Sequence, residues 1–244
     1  MKDKMSADST NRFKALSCGY NEALVITIDG PAGAGKTTVS KIVAERLNYR
    51  YIDTGALYRG VAYEAQRTGI SSDDSIGLER LCQNLDLNFE DDDGEPRLIC
   101  NGVDIANDIR SPEISMMASA VSAQEPVRRY LFGIQKKFGS RKRVVMEGRD
   151  MGTVVFPEAD VKFFLMASIE SRALRRFEQM RGQNDQTIEQ VMEEMARRDA
   201  DDSRRSIAPL KPADDAILID STKLSIEEVI ETMIQHVRKV SGRG

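Results

Sequence analysis

Apolar residues along this chain alternate between two rhythms. Leu24 to Ile28 is a short β-branched run bounded by Asp29-Gly30-Pro31, which predicts a buried strand. Val39, Ile42, Val43 and Leu47 then recur at helical spacing within Thr38 to Leu47. Arg50 to Asp53 predicts a brief second strand, and Leu57 to Gln66 a helix closed by Gly69. Arg143 to Met146, Val161 to Leu165 and Ala216 to Ile219 are further apolar runs of strand length. Helices are expected from Ser168, from Thr187 and after Ser225. Thr187-Ile188-Glu189-Gln190 and Ser225-Ile226-Glu227-Glu228 both read as capping boxes. The first opens an apolar face of Ile188, Val191, Met192 and Met195; the second opens a stripe of Ile226, Val229, Ile230, Met233 and Val237. Strands alternating with helices imply a parallel sheet covered on both faces.

Two stretches break this rhythm. From Leu85 to Asp108, "LDLNFEDDDGEPRLICNGVDI" alternates apolar and polar residues, with Asp93-Gly94 and Asn101-Gly102 as hairpin turns. A small antiparallel insert is expected there, with "EDDD" at Glu90 to Asp93 as its solvated tip and not a metal site. Met1 to Asn21 is polar and non-periodic, which predicts a disordered leader over 1–21. No internal repeat is visible.

The break after the first strand carries chemistry. Gly30-Pro31-Ala32-Gly33-Ala34-Gly35-Lys36-Thr37 matches G-x-x-x-x-G-K-[ST] in full, between an apolar strand and an amphipathic helix. Glycines let the backbone curl until its N–H groups point inward at phosphate oxygens. The helix beginning near Gly35 adds the positive end of its dipole. Lys36 can reach the β- and γ-phosphates, and the Thr37 hydroxyl can ligate Mg²⁺. The loop, with Thr38 after it, is therefore expected to cradle a nucleoside triphosphate.

Composition narrows what the rest of the chain does with that nucleotide. The formal net charge of -4 over 244 residues argues against a general nucleic-acid binder. No apolar run is long enough to cross a bilayer, and no signal peptide is visible. The three cysteines, Cys18, Cys82 and Cys100, show no C-x-x-C spacing and fit idle thiols in a reducing cytoplasm. His236 is the only histidine, which excludes a multi-histidine metal site and leaves no histidine base.

Four motifs resolve the second ligand. "YIDTGALYRGVA" at Tyr51 to Ala62, "EGRDMGTVVFPEADVKFFLMAS" at Glu147 to Ser168, "RRDADDSRRSIAPL" at Arg197 to Leu210 and the glycine loop together resemble the bacterial cytidylate (CMP) kinases. The resemblance runs from Leu24 to Val240. It implies a P-loop NTPase-type α/β fold, a parallel sheet covered by helices. To this are added a nucleoside-monophosphate-binding insert with a small antiparallel β element and a helical lid. One kinase domain over 22–244 is then expected, with a core of 22–53, 141–178 and 209–244, a monophosphate-binding region of 54–140 and a lid of 179–208. The implied reaction moves the γ-phosphate of ATP, with Mg²⁺, to CMP or dCMP, in a cytoplasmic monomer without nucleic-acid or membrane partners.

Residue roles follow from the same resemblance. Thr54, Tyr58 and Arg59 would lie along the monophosphate, with Arg59 pairing its oxygens. Ser119, Arg128 and Asp150 would read the cytosine edge. Arg149 and Arg205 would grip the acceptor phosphate, Asp202 would hold the sugar hydroxyls, and Arg198 would touch the γ-phosphate. Glu147 ends a strand near the loop and would orient the water shell of Mg²⁺. The physics agrees, since a phosphate acceptor is already ionised and needs positioning and neutralisation, not a base. Arginine's planar fork suits phosphate oxygens. Arg172, Arg175 and Arg176 are expected on a solvated face or near the adenine, without a catalytic role. Two alternatives stay open: a P-loop kinase for another small acceptor such as UMP or shikimate, and a nucleotide switch whose output is partner binding.

Overall fold

The computed structural model describes residues 23–92, 95–180 and 186–242. The expected leader, the Asp93-Gly94 turn and part of the expected lid therefore lie outside the described residues. The chain runs through Val25–Asp29 (β1), Lys36–Leu47 (α1), Arg50–Asp53 (β2), Thr54–Arg67 (α2) and Ser75–Gln83 (α3). Leu87–Asp92 (β3), Glu95–Cys100 (β4) and Val103–Asp104 (β5) follow, then Pro112–Val121 (α4) and Glu125–Gly139 (α5). Val144–Gly148 (β6), Val161–Met166 (β7), Ile169–Gln179 (α6), Ile188–Arg204 (α7), Ile217–Asp220 (β8) and Ile226–Val240 (α8) complete it.

Five strands form an all-parallel sheet in the order β2-β6-β1-β7-β8. In β1, Val25 pairs with Val144 on one side and Ile26 with Val161 on the other. A strand bonded on both edges and covered on both faces has no position left for water, which is why its sequence up to Asp29 is apolar but for the buried Thr27. On one face Val25, Ile52, Val144 and Met146 pack with Leu57 and Val61 of α2, Ile114 of α4 and Leu131 of α5. On the other, Ile26, Ile28, Val145, Phe163 and Leu165 pack with Val39, Val43 and Leu47 of α1 and Val229, Ile230, Met233 and Val237 of α8. Ile226 departs from the expected stripe and is 54% exposed. It is the first residue of α8, one turn short of the sheet.

The antiparallel insert forms as β3-β4-β5, with Leu87 opposite Cys100 and Phe89 opposite Leu98. These four are buried, while Asn88 and Glu90 face water, so alternation alone fixes which side meets the core. Asn101 and Gly102 have φ of 49° and 79°, the paired positive values that a tight hairpin needs. Both expected capping boxes are made, by Thr187 with Gln190 and by Ser225 with Glu228. Three helices carry no expectation from the apolar pattern: α3, α4 and α5. Their starts are set by caps and rings, with Asp74 accepting from Gly77 N–H, Ser111 accepting from Ile114 N–H ahead of Pro112, and Pro126 in the first turn of α5.

At the end of β1 the chain must turn within the thickness of the sheet. Gly30 does this at φ 147°, and a Cβ placed there would lie 2.1 Å from the Leu165 carbonyl oxygen. Neither the angle nor the neighbouring backbone can give way. Gly30→Ala should therefore destabilise the fold by roughly 2–4 kcal/mol, read as a lowered urea midpoint at unchanged slope. An unchanged midpoint would show that the β1 turn tolerates a side chain.

Candidate active site

The turn at Gly30 leads into a loop whose backbone the glycines shape. Gly33 and Gly35 have φ of 72° and 91°, and Gly35 is the N-cap of α1 with no side chain capping the helix. The first N–H groups of α1 are thus left without a side-chain acceptor, as an anion site requires. Lys36 folds back and donates from Nζ to the Pro31 carbonyl at 2.7 Å. Burial, with Arg149 adding to it, pulls the Lys36 amino group down to about 7 against the opposing pull of Glu147 and Asp29.

Glu147, at the end of β6, is the acceptor around which the loop's polar edge is arranged. Its Oε1 receives the Thr37 hydroxyl at 2.8 Å and the Tyr51 hydroxyl at 2.8 Å. Its Oε2 is buried without a hydrogen-bond partner. Burial, and then the charge of Asp53, push this carboxyl above its ordinary range. The Thr54 hydroxyl donates to the Glu147 carbonyl at 2.6 Å. Asp53 caps α2 by accepting from Ala56 N–H and holds Arg59 Nη2 at 2.7 Å.

Asp29 closes β1 with a buried carboxylate. It accepts from the N–H groups of Met151 at 2.9 Å and Gly152 at 2.7 Å. Burial raises it to about 6 despite those two bonds. It thereby caps a π-helical turn at Met151–Val155, immediately after Arg149 and Asp150. Asp150 pairs with Arg128 in a contact from which water is nearly excluded. Arg128 also lies 5.8 Å from the centre of the Tyr58 ring. Burial pushes the Asp150 carboxyl up and the Tyr58 hydroxyl up to about 12.

The charged end of α7 covers this region. Asp202 lies 3.1 Å from Arg149 Nε, 3.2 Å from Arg205 Nη2 and 3.4 Å from the Ser119 hydroxyl. Arg205 Nη1 donates to the Ser122 hydroxyl at 2.8 Å. Burial and then Arg149 lower Arg198 to about 10, and its Nε makes no hydrogen bond. Arg197 and Arg204 are both exposed, Arg197 on the rim of the cavity and Arg204 outside it. Below, Met195 packs so closely on the loop that a Cβ at Gly33 would lie 2.5 Å from Met195 Cε.

Most of these groups line one cavity of about 1370 Å³, larger than a single drug-sized ligand needs. It takes in Ala32, Gly33, Ala34, Gly35, Lys36, Thr37 and Thr38 of the loop. It also takes in Thr54, Tyr58, Arg59, Ser119, Arg128, Arg149, Asp150, Arg198, Asp202 and Arg205. Gly30 and Pro31 are outside its lining; they shape the loop from behind. The cavity runs from the β8–α8 connection, at Ser221 and Leu224, past the loop to α4 and the antiparallel insert.

One expectation needs correction. Arg172 is not on a solvated face: it is 6% exposed, pairs with Asp199 at 2.6 Å and donates to the carbonyls of Ala32 and Ala167. The helix α6 packs this position beneath the loop and α7, so the guanidinium must find partners there. Arg175 likewise donates to the Ser221 carbonyl at 2.8 Å. Asp29, Tyr51, Asp53 and Ser122 are participants that the motif reading did not name. The signal for Asp29 was available as a lone carboxylate ending an apolar run. Among the described residues, no cluster of three or more His, Cys, Asp or Glu could hold a metal alone. The Thr37 hydroxyl beside the unpartnered Glu147 oxygen suits a hydrated divalent cation whose other ligands come from a phosphate.

The sequence profile of one family, described as "Cytidylate kinase", matches residues 26–239. A cytidylate kinase of Geobacter sp. (strain M21) is 47% identical over 230 residues, covering 94% of this chain and 99% of its own. One from Thermosipho melanesiensis is 46% identical over 215 residues, covering 88% and 96%. A solved structure of an uncharacterized protein from Eubacterium ventriosum shares the fold at 11% identity, with a TM-score of 0.52 over 88% of this chain and 98% of that one. By the extent of the profile match and the identity to these relatives, the chain belongs to the cytidylate kinase family.

Proposed function

We propose that the protein transfers the γ-phosphate of ATP to CMP or dCMP, giving ADP and CDP or dCDP. The observation that carries this reading is the convergence of Lys36, Arg59, Arg149, Arg198 and Arg205 on one cavity walled by the buried Arg128–Asp150 pair. A loop that holds a triphosphate accounts for Lys36 alone. A second phosphorylated ligand accounts for the arginines, and a carboxylate paired with a guanidinium accounts for its base.

In this reading the loop N–H groups and Lys36 hold the β- and γ-phosphates. Arg59, Arg149 and Arg205 hold the CMP phosphate in line behind the γ-phosphorus. An oxygen of CMP forms the new P–O bond as the bond from the γ-phosphorus to the β–γ bridging oxygen breaks, and ADP leaves with that electron pair. Arg198 and Lys36 follow the charge that moves onto the bridging oxygen. No proton has to be removed from the acceptor. Mg²⁺, when bound, neutralises charge on the β- and γ-oxygens. Thr37 would ligate it, and Glu147 would accept a hydrogen bond from its water through Oε2. Asp202 holds the sugar hydroxyls, and α7 is the part of the lid that brings Arg198, Asp202 and Arg205 over the substrates. The same reading has the protein acting as a cytoplasmic monomer on small molecules, independent of nucleic acid and membrane.

A coupled assay with ATP and a panel of CMP, dCMP, UMP, AMP and shikimate tests the assignment. CMP and dCMP should be preferred over every other acceptor by at least roughly tenfold in kcat/KM. Hydrolysis of ATP without transfer to any acceptor would exclude it.

Base choice follows from the Arg128–Asp150 pair and Ser119. A carboxylate accepts from the exocyclic amine of cytosine, where uracil offers a carbonyl oxygen, and a guanidinium donates to the neighbouring ring acceptors. Asp150→Asn supplies a donor in place of an acceptor and leaves Arg128 without its counter-charge. The CMP to UMP ratio of kcat/KM should fall by roughly 10- to 100-fold. An unchanged ratio would place discrimination elsewhere.

The lowered Lys36 amino group gives a pH signature. Near pH 7 it is half protonated in the free protein, and a triphosphate beside it favours the charged form. Above 7, nucleotide binding must therefore take up a proton, and affinity declines as pH rises towards the bound-state value. Below 7 the group is already charged and adds no dependence. Titration calorimetry of an ATP analogue in buffers of different ionisation enthalpy should read roughly half a proton taken up at pH 7 and close to one at pH 8. Uptake that is absent in the wild-type protein, or unchanged in Lys36→Met, would assign the event to another group.

A further inference from the structure

Ser122 is the residue immediately after α4, and it is 6% exposed. Its hydroxyl proton is committed, because Oγ donates to the Ser119 carbonyl at 2.6 Å. The lone pairs are thereby turned outward, and Arg205 Nη1 donates to them at 2.8 Å. The backbone of the same residue serves a second arginine: its carbonyl accepts from Arg128 Nη1 at 3.2 Å. Ser122 thus gives its side chain to Arg205 at the end of α7 and its backbone to Arg128, the partner of Asp150.

Other contacts of the Arg205 head do not fix it from across the cavity. Nε donates to the Asp202 carbonyl at 3.3 Å, within the last turn of its own helix. Nη2 lies 3.2 Å from Asp202 Oδ1 but makes no aligned hydrogen bond. Both partners travel with α7. Ser122 is the contact that refers Arg205 to α4, the element that also carries Ser119.

We propose that Ser122 is a positioning residue, whose hydroxyl fixes the Arg205 guanidinium against the monophosphate compartment. It acts through Arg205 and touches no reacting atom. The inference deepens the CMP kinase reading and rests on Arg205 facing the acceptor phosphate. With alanine at 122, Arg205 keeps its charge and its turn contacts but loses its registration to the wall that holds CMP. A guanidinium displaced by a fraction of an ångström still attracts phosphate, yet no longer meets it bidentately.

The test is a double-mutant cycle of Ser122→Ala with Arg205→Ala, read as kcat/KM for CMP at saturating ATP. Where turnover is too slow to measure, CMP binding by calorimetry gives the same cycle. Ser122→Ala alone should lower kcat/KM for CMP by roughly tenfold, the scale of one hydrogen bond to a charged group, with KM for ATP unchanged within about twofold. In the Arg205→Ala background the same substitution should change kcat/KM by less than about twofold. A structural role at the end of α4 would give equal losses in both backgrounds, or a parallel rise in KM for ATP; either result overturns the proposal. Normal CMP turnover by Arg205→Ala would instead overturn the placement of Arg205 beneath it, and failure of the wild-type protein to phosphorylate CMP would overturn the function itself.

Discussion

Cations gathered for phosphates repel one another until the phosphates arrive, and the architecture of this cavity answers that repulsion. Four of its arginines are held by acids: Arg59 by Asp53, Arg128 by Asp150, and Arg149 and Arg205 together by Asp202. Among the described residues Lys36 and Arg198 make no ion pair of this kind, and burial, with Arg149 adding to it, displaces them downward to about 7 and about 10. A triphosphate beside the loop would favour the charged form of both groups. The acids are as much part of the site as the bases, because removing one partner of a buried pair leaves an uncompensated charge.

Much of this could be read from the chain, and what could not has identifiable reasons. The loop is legible because strand, glycines and helix each leave a local signature in consecutive residues. The hairpin at Asn101-Gly102 and the boxes at Thr187 and Ser225 are legible for the same reason. The helix α4 is not, because "PEISMMASAV" is apolar on nearly every side; Ile114 and Ala118 are buried, while Met116 is 60% exposed. Arg172 could not be told from Arg176 by type or spacing, since its burial is set by the loop and α7 packing above it. Ser122 needed the distance to Arg205, 83 residues away. A usable signal on α7 did exist: the apolar face of Val191 and Met195 continues at helical spacing through Arg198, Asp202 and Arg205. The site-facing side of a mixed charge run can be found by extending its hydrophobic stripe.

Strand β1 joins the two halves of the chemistry. Its C-terminal end launches the phosphate loop, and its last side chain, Asp29, fixes the turn that follows Arg149 and Asp150. The phosphate loop and the turn that follows Arg149 and Asp150 therefore hang from one rigid support, and their separation is set by sheet geometry, not by loops. On the opposite side α7 rests on the same loop through Met195 and reaches it through Asp199, Arg172 and the Ala32 carbonyl.

The register of β1 also governs how the molecule can be built. Val25 pairs with Val144, and Ile26 with Val161. Both edges of the central strand thus wait for sequence more than a hundred residues downstream. At a synthesis rate of about 5–20 residues per second, that interval is on the order of ten seconds on the ribosome. For that time a largely apolar strand carries two unpaired edges, the kind of template on which other chains add. Parallel pairing at such separation is slow to close. Nascent chains, more than the finished enzyme, are therefore the species that need chaperone protection, and substitutions that delay β6 or β7 should reduce soluble yield before they reduce stability.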